Sequence, residues 1–526
     1  MKSIFILCGT ALCLIGSTAV MTNASREFQI VRHNGNNVEL CVSNYGKFGQ
    51  DETGNNAGCW WPIGSGHNYI YGAGIWFGTV DMLTGDTLVT IGYGPHGGES
   101  EFAPGLAGWP VSHPAAIIYI YPENWPAPPD TLPMAPQGTV SHEDSWCCFN
   151  DCDSVYHIAG DTRPIGIEVY QTVYVWDFPY LEDMIFFTYD VKNVSGHLLN
   201  DCYIGICADC DIGNEAGTSA NDRYCGIVYQ EYVIDDDTII VDDVAYQWQE
   251  VEEPGVPPWN PGVIGFDLLQ TPLDLVAGMD KDGDGILDEY ERDSAYYVIN
   301  LPASMWDADN DGVPDWRDPS QWPQVGISAL KRFTLAVEPN LDAERYATLA
   351  GYNFVTGLYE PFDTVPPDPD DQRFLLASGP FDLEPDSIVT LVFALIFADW
   401  IGIYMRPDTA LALIDQWAED YYNMYWYLYT GIEEDCELRI ANCEMRILPN
   451  PISNTGLISF SLPAATGVSL KLYNTLGQLV ETVYDGFKPA GVHEFVVNTH
   501  GLPQGTYFLV LEAGDFKISR SIVVLR

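Results

Sequence analysis

Twelve residues, Asp280-Lys-Asp282-Gly-Asp284-Gly285-Ile286-Leu-Asp288-Glu-Tyr-Glu291, place acids at positions 1, 3, 5, 9 and 12 and glycine at position 6. That spacing suits a hard cation. Calcium gathers about six to eight oxygens at one centre, and alternate acids converge on it when the chain curls. Gly285 permits the sharp bend. In this reading Asp280, Asp282 and Asp284 ligate by side chain, Ile286 by its carbonyl, Asp288 through a water and Glu291 with both oxygens. A second copy follows at Asp307-Ala-Asp309-Asn-Asp311-Gly312-Val313-Pro-Asp315-Trp-Arg-Asp318. Its ligands are Asp307, Asp309, Asp311, Val313, Asp315 and Asp318, and its shorter twelfth residue predicts looser coordination. Ca2+ is the expected cofactor and its role structural, because crowded acids repel one another without it.

A weaker constellation is Asp209-Cys210-Asp211-Ile212-Gly213, followed by Asn221 and Asp222. Two acids at i, i+2 on a strand exit suit either another cation or ordinary aspartate turn chemistry. Catalytic patterns are scarcer. The chain has no Gly-x-Ser-x-Gly elbow, no His-Glu-x-x-His helix and no phosphate loop. His142-Glu143 lacks a second histidine, and His96, His113, His142 and His157 sit in loop-like sequence. Paired acids for glycoside hydrolysis stay open, since 74 acidic residues make any choice arbitrary.

The elements that must position these groups are mostly strands. A chain of 526 residues predicts two or three domains. Its 48 glycines, 35 prolines and 13% aromatics suit short strands and tight turns. Ile165, Ile167, Val169, Val173 and Val175 alternate. With Met184–Val191 and Tyr203–Ile206 they predict an antiparallel meander. Phe381–Trp400 reads as two strands. Residues Thr409–Tyr429 predict one long helix, with Leu411, Ile414, Trp417, Ala418 and Tyr421 on one face. Gly72-Ala73-Gly74 lacks the context of a dinucleotide loop and instead marks close strand packing.

Met1-Lys2, the apolar run Ile4–Ile15 and small residues with cleavage after Ala19 or Ala24 predict a signal peptide over 1–24. No later segment reads as a transmembrane helix. Export favours disulfides among the clustered Cys147, Cys148 and Cys152, among Cys202, Cys207, Cys210 and Cys225, and between Cys436 and Cys443. Zinc at Cys207-Ala-Asp-Cys210 is the alternative. A net charge of -52 repels nucleic acid and anionic lipid and attracts cations.

Charge and turn chemistry break together at Leu448-Pro449-Asn450-Pro451. From Arg446 onward six basic residues face five acidic ones, so nearly all the negative charge lies earlier in the chain. Beyond the break Val468–Leu472, Gly505–Leu511 and Lys517–Leu525 read as strands of a small sandwich. The run Leu448-Pro-Asn-Pro, Val468–Leu472, Gly477-Gln478-Leu479-Val480, Gly491-Val492-His493 and Leu502-Pro503-Gln504-Gly505-Thr506-Tyr507 resembles type IX secretion C-terminal sorting domains. It also resembles the immunoglobulin-like modules of flagellar hook-cap proteins. The resemblance implies recognition of 446–526 by the type IX secretion machinery and a secreted or outer-surface location. The acid loops at 280–318 are similar to thrombospondin type 3 and dockerin calcium loops rather than to paired EF-hands.

The expected fold is therefore mainly β. A large antiparallel, sandwich-like domain at 25–445 carries a long C-terminal helix and inserted calcium loops, and a small immunoglobulin-like β-sandwich follows at 446–526. Two function classes remain. One is a non-catalytic adhesin, matrix or polymer-binding protein whose Trp and Tyr rings stack on polysaccharide, if they are not core. The other is a secreted hydrolase of polysaccharide or protein.

Overall fold

A computed structural model describes residues 28–526 apart from 54–55, 95–99, 111, 159, 214–221, 235–236, 250–260, 282, 303–304, 307, 309–313, 319–320, 335, 365–367, 400–405, 430–444, 449–451, 453–454, 463–465, 475–478, 489–490, 504, 514–515 and 525–526. The expected signal peptide at 1–24, Cys436 and Cys443 lie outside the described residues. The chain forms two units, 1–426 and 427–526.

In the first unit, strands rich in β-branched and aromatic residues build two antiparallel sheets. The first runs in the order Ile327–Thr334, Gln372–Leu383, Leu199–Asp209, Gly72–Val80, Lys47–Phe48, Glu39–Ser43, Cys59–Trp60, Asn68–Ile70. The second runs Asp222–Ile234, Asp237–Gln249, Val263–Gln270, Ile388–Ala398, Met184–Asn193, Ile167–Val175, Glu143–Asn150, Ala103–Pro104. Their inner faces share one core. Phe48 of the first sheet lies 4.9 Å from Phe187 of the second, and Phe187 stacks on Phe393 at 4.8 Å. Burying such rings is the main stabilising term of the sandwich.

Ile167–Val175 is buried on both faces. Ile167, Val169, Val173 and Val175 enter the shared core, while Tyr170 packs outward with Trp146 and Ala127. Outer cover explains why Tyr170 and Tyr174, on the face away from that core, are buried as well. Gly72 and Gly74 are glycines for want of room. A Cβ on Gly72 would meet the Tyr93 ring at 2.2 Å, and one on Gly74 would meet Gly46 O at 2.6 Å.

The expected three-stranded meander is corrected. Ile167–Val175 and Met184–Asn193 pair, but Leu199–Asp209 crosses to the first sheet. The switch is made at Asn193, whose Nδ2 donates to His197 O and Leu383 O at 2.8 Å each. The same residue meets a second corner, since Asn193 N donates to Ser387 O and Asp386 N to Asn193 O. There the chain passes from Gln372–Leu383 in the first sheet to Ile388–Ala398 in the second. A side chain that satisfies two corner carbonyls leaves no signal in strand periodicity.

The cysteine reading is also corrected: no disulfide joins the described residues. Cys41, Cys59, Cys147, Cys148, Cys202 and Cys207 carry thiols. Alternation along a strand explains it. Cys147 enters the shared core and Cys148 the opposite face, so neighbours in sequence cannot meet. Cys207 and Cys210 likewise face opposite sides of the first sheet, which removes the zinc alternative. Burial pushes the Cys202 thiol up to about 12.

The helix Pro407–Tyr429 covers the outer face of the second sheet. Tyr421 lies 4.7 Å from Trp176 and 5.9 Å from Phe186. Its buried stripe includes Leu411, Asp415, Ala418 and Tyr422, whereas Trp417, expected inside, is 39% exposed. Among the described residues no helix is long and apolar enough to cross a membrane.

The second unit has two antiparallel sheets. One holds Met445–Leu448, Thr455–Leu462 and Gly491–Asn498; the other holds Leu479–Lys488, Thr466–Asn474, Gly505–Ala513 and Phe516–Val524. Ile458, Phe460, Leu470, Leu472, Leu509 and Ile522 fill one core. The sequence alternates along these strands because one face of each must reach it.

Candidate metal centres

Residues 271–326 join Val263–Gln270 of the second sheet to the edge strand Ile327–Thr334 of the first. The two ends of this insertion are tied together. Thr271 N donates to Gln324 Oε1 at 2.7 Å, Val325 N to Pro272 O at 2.8 Å and Asp274 N to Pro323 O at 2.9 Å.

Beyond that neck, the two acidic loops share one wiring. In the first, Asp288 N donates to Met279 O at 2.9 Å and Lys281 N to Asp288 Oδ1 at 3.0 Å. In the second, Asp315 N donates to Trp306 O at 2.8 Å and Ala308 N to Asp315 Oδ1 at 2.9 Å. Each loop then closes in one turn of 3-10 helix, Asp288–Tyr290 and Asp315–Arg317. That turn brings the twelfth residue inward: Glu291 and Asp318 are both fully buried.

The other described loop residues fall around this frame. Asp280 and Asp284 are exposed, Ile286 is buried, and Asp280 Oδ1 accepts Gly283 N at 2.8 Å. Asp284 Oδ1 accepts Ile286 N at 2.7 Å. Gly283 and Gly285 adopt φ of 81° and 97°, which only glycine takes without strain. Asp288 has a place in the loop's own hydrogen bonding. Its Oδ1 accepts Lys281 N and its Oδ2 accepts Val276 N, so its carboxylate staples the loop. Asp282, Asp307, Asp309, Asp311 and Val313 lie outside the described residues.

The insertion is poor in apolar mass. Its buried hydrophobic side chains among the described residues are Ile286, Tyr297 and Trp322. Tyr297 meets Trp316 at 5.1 Å, and Trp322 Nε1 donates to Asp315 O at 2.9 Å. The short helix Ser294–Asn300 is capped by Asp293, whose Oδ1 accepts Ala295 N at 2.9 Å. A segment of this size with so small a core usually needs a staple. Glu291 and Asp318 bring carboxylates into this small core, and Tyr297 Oη lies 3.5 Å from Glu291 Oε2. The donor set is all oxygen, which fits calcium.

A second group lies where Leu199–Asp209 leaves the first sheet. Carboxylate oxygens of Asp209, Asp211 and Asp371 lie within 4.8 Å of one another. Sequence reasoning reached Asp209 and Asp211 but missed Asp371, which the neighbouring strand delivers: Asp209 pairs with Arg373 across the ladder. The group contains its own cation. Arg373 lies 2.9 Å from Asp209 Oδ2 and 2.6 Å from Glu338 Oε2, and Tyr93 Oη donates to Asp209 Oδ2 at 2.6 Å. Burial, then Asp209 and Asp371, push the Asp211 carboxyl up to about 7. Asn221 lies outside the described residues.

The histidines in loops hold backbone. His113 Nδ1 accepts Ala115 N, His142 Nδ1 accepts Asp177 N and His157 Nε2 meets Asp151 O. His96 is outside the described residues. A hollow of about 180 Å³ lined by Lys331, Phe333, Val337, Asn353 and Asp363 is smaller than the roughly 300–1,000 Å³ usual for small-molecule sites. Nearby, Tyr352 and Tyr359 are 43% and 64% exposed with ring centres 5.2 Å apart, while Tyr203 and Tyr346 meet edge-on at 5.4 Å.

Residues 446–525 match the family described as a secretion system C-terminal sorting domain. Curated proteins offer no match to the chain. Similar solved structures include a polysaccharide lyase, at 7% identity and a TM-score of 0.17 over 69% of this chain and 35% of that one. Another is dimeric latent PorU from Porphyromonas gingivalis, at 10% identity and a TM-score of 0.14 over 73% of this chain and 32% of that one. The chain thus spans about a third of either structure's length, and scores this low support no argument about fold or activity.

Proposed function

We propose that this type IX secretion cargo, a secreted or outer-surface protein, acts there as a calcium-stabilised, non-catalytic adhesin or matrix protein that holds a polymer. The reading rests on the doubled loop wiring, which turns two acid ladders into matching frames with a buried acid at each twelfth position. Calcium would be held by Asp280, Asp282, Asp284, Ile286 O and Glu291, and by Asp307, Asp309, Asp311, Val313 O and Asp318. Bound there, it neutralises acids that the insertion's small core cannot keep together alone. The 446–526 unit is read as immunoglobulin-like and as the part that the secretion machinery engages.

Exposed tyrosines supply the binding surface. Tyr352 and Tyr359 offer flat, amphipathic rings of the kind that stack on sugar.

The test uses the mature chain with and without millimolar Ca2+. Chelation is expected to lower the melting temperature and open 271–326 to protease, and Glu291→Gln with Asp318→Asn to reproduce that state in calcium. An identical melt in chelator and calcium would sink the calcium reading. A panel of polysaccharides and proteins then separates binder from hydrolase. Retention that falls in Tyr352→Ala/Tyr359→Ala, with no new chain ends, supports the binder; new chain ends would make the protein a hydrolase instead.

A further inference from the structure

The helix Pro407–Tyr429 buries an acid where an apolar residue is expected. Two contacts fix how it runs along strand Val263–Gln270. A Cβ built on Gly265 would lie 3.0 Å from Leu411 Cδ2, so Leu411 sits over Gly265. Further along, Tyr422 Oη donates to Gln270 Oε1 at 2.6 Å. From 265 to 270 the strand advances about 16 Å at ~3.3 Å per residue, and from 411 to 422 the helix advances about 16 Å at ~1.5 Å per residue. The two elements therefore run in step. Asp415 lies one turn past Leu411, about 6 Å along, and Asp267 lies two residues past Gly265, also about 6–7 Å along. That register sets the two side chains opposite one another, and Asp415 is the strongest-acting charge on Asp267.

Both are sealed from water: Asp267 is 0% exposed and Asp415 1%. All four of their carboxylate oxygens are buried without a hydrogen-bond partner. The groups acting most strongly on them are acids again. Glu419 stands one helical turn beyond Asp415. Asp242 and Asp243 come from the next strand, where Val244 pairs with Asp267. Burial and this company raise all three carboxyls, Glu419 to about 8. Asn423 Nδ2, 3.4 Å from Glu419 Oε2, offers a weak dipole and no charge. At the helix start, Arg406 is engaged by Asp408.

The contrast with Asp209 is direct, because there Arg373 stands 2.9 Å away. Two carboxyls can share one proton. Five crowded acids would need several protons to reach neutrality, whereas one divalent ion answers most of the charge at once. Outside the cell, a net charge of -52 concentrates such ions around the chain. We infer that the buried pair Asp267 and Asp415, with Glu419 one helical turn further on, forms a cation site, separate from the acidic loops, that takes a hard divalent ion such as Ca2+ and pins the helix to the sheet.

The test counts Ca2+ by equilibrium dialysis on the mature chain at pH 7.5. It compares wild type, Asp267→Asn/Asp415→Asn, a loop variant (Asp280→Asn, Glu291→Gln, Asp307→Asn, Asp318→Asn) and the combination. The paired asparagines keep size and remove charge. The expected result is one equivalent fewer than wild type with unchanged circular dichroism. The loop variant is expected to keep that equivalent and to gain melting temperature with Ca2+, a gain that vanishes in the combination. Equal stoichiometry in wild type and Asp267→Asn/Asp415→Asn overturns the site. So does a loop variant whose melt ignores calcium, a result that needs no folded Asp267 variant. Failure of the loops shows separately, as a loop variant that binds as much as wild type.

Discussion

Between the two sheets Phe187 stacks on Phe393 at 4.8 Å and touches Phe48 at 4.9 Å, inside a core continuous across the first unit. The 271–326 insertion buries Ile286, Tyr297 and Trp322 and places acids beside them. One region is held by water leaving apolar surface. The other is held at its neck by backbone hydrogen bonds and, in the proposed reading, by metal at its centre. The difference predicts two responses to one reagent. A chelator should loosen the insertion and, where the inferred site holds, the helix Pro407–Tyr429, while the sheets themselves stay standing.

The largest effect expected in the sandwich is from Phe187→Ala, which should cost about 3–5 kcal/mol by transfer and cavity terms. Urea midpoints should show that loss equally in chelator and in calcium. A loss that calcium restores would break the division between the two regions. Asn193→Ala comes next. It removes the buried bond to Leu383 O and a second one to His197 O, which keeps Ser195 Oγ, at the place where both corners meet, and about 1–2 kcal/mol is expected, again independent of calcium. Hydrogen exchange at 194–199 and 384–387 should quicken in that variant. If the loops at 280–318 respond instead, the regions are not separable.

The same two regions differ in how much could be read beforehand. Period-two alternation marked Ile167–Val175 and Met184–Asn193, because those side chains face one core; of the two strands expected in Phe381–Trp400, Ile388–Ala398 lies there, while the other is Gln372–Leu383 and starts nine residues earlier. The sheet each strand joins was not legible, since Asn193 decides it through bonds to residues far along the chain. The acid ladder of 280–291 stands out in the sequence because its carboxylates are close along the chain. Asp371 was not, for it joins Asp209 by strand pairing, and Asp415 was passed over because an acid does not belong on an apolar helical face. Trp417 was placed inside for the opposite reason, and the true stripe turns away from it.

The smallest effect sharpens the comparison within the first sheet, where an arginine stands among the acids. Asp209, Asp371, Arg373 and, through Arg373, Glu338 surround Asp211, whose carboxyl is raised to about 7 by burial and then by the two aspartates. A raised acid binds its proton more tightly when folded. Its stabilising share is therefore full below about pH 4 and is lost as the pH climbs through about 7. Above that, the ionised group opposes folding by on the order of 1 kcal/mol, reduced by its partial contact with solvent. Asp211→Asn cannot ionise. In chelator it should match wild type at pH 4 and exceed it at pH 8, as read from urea midpoints across that range. Should millimolar Ca2+ lift wild type at pH 8 but not Asp211→Asn, Arg373 would be an insufficient counter-ion, and the carboxylates at the sheet edge would belong with the metal-dependent part of the molecule.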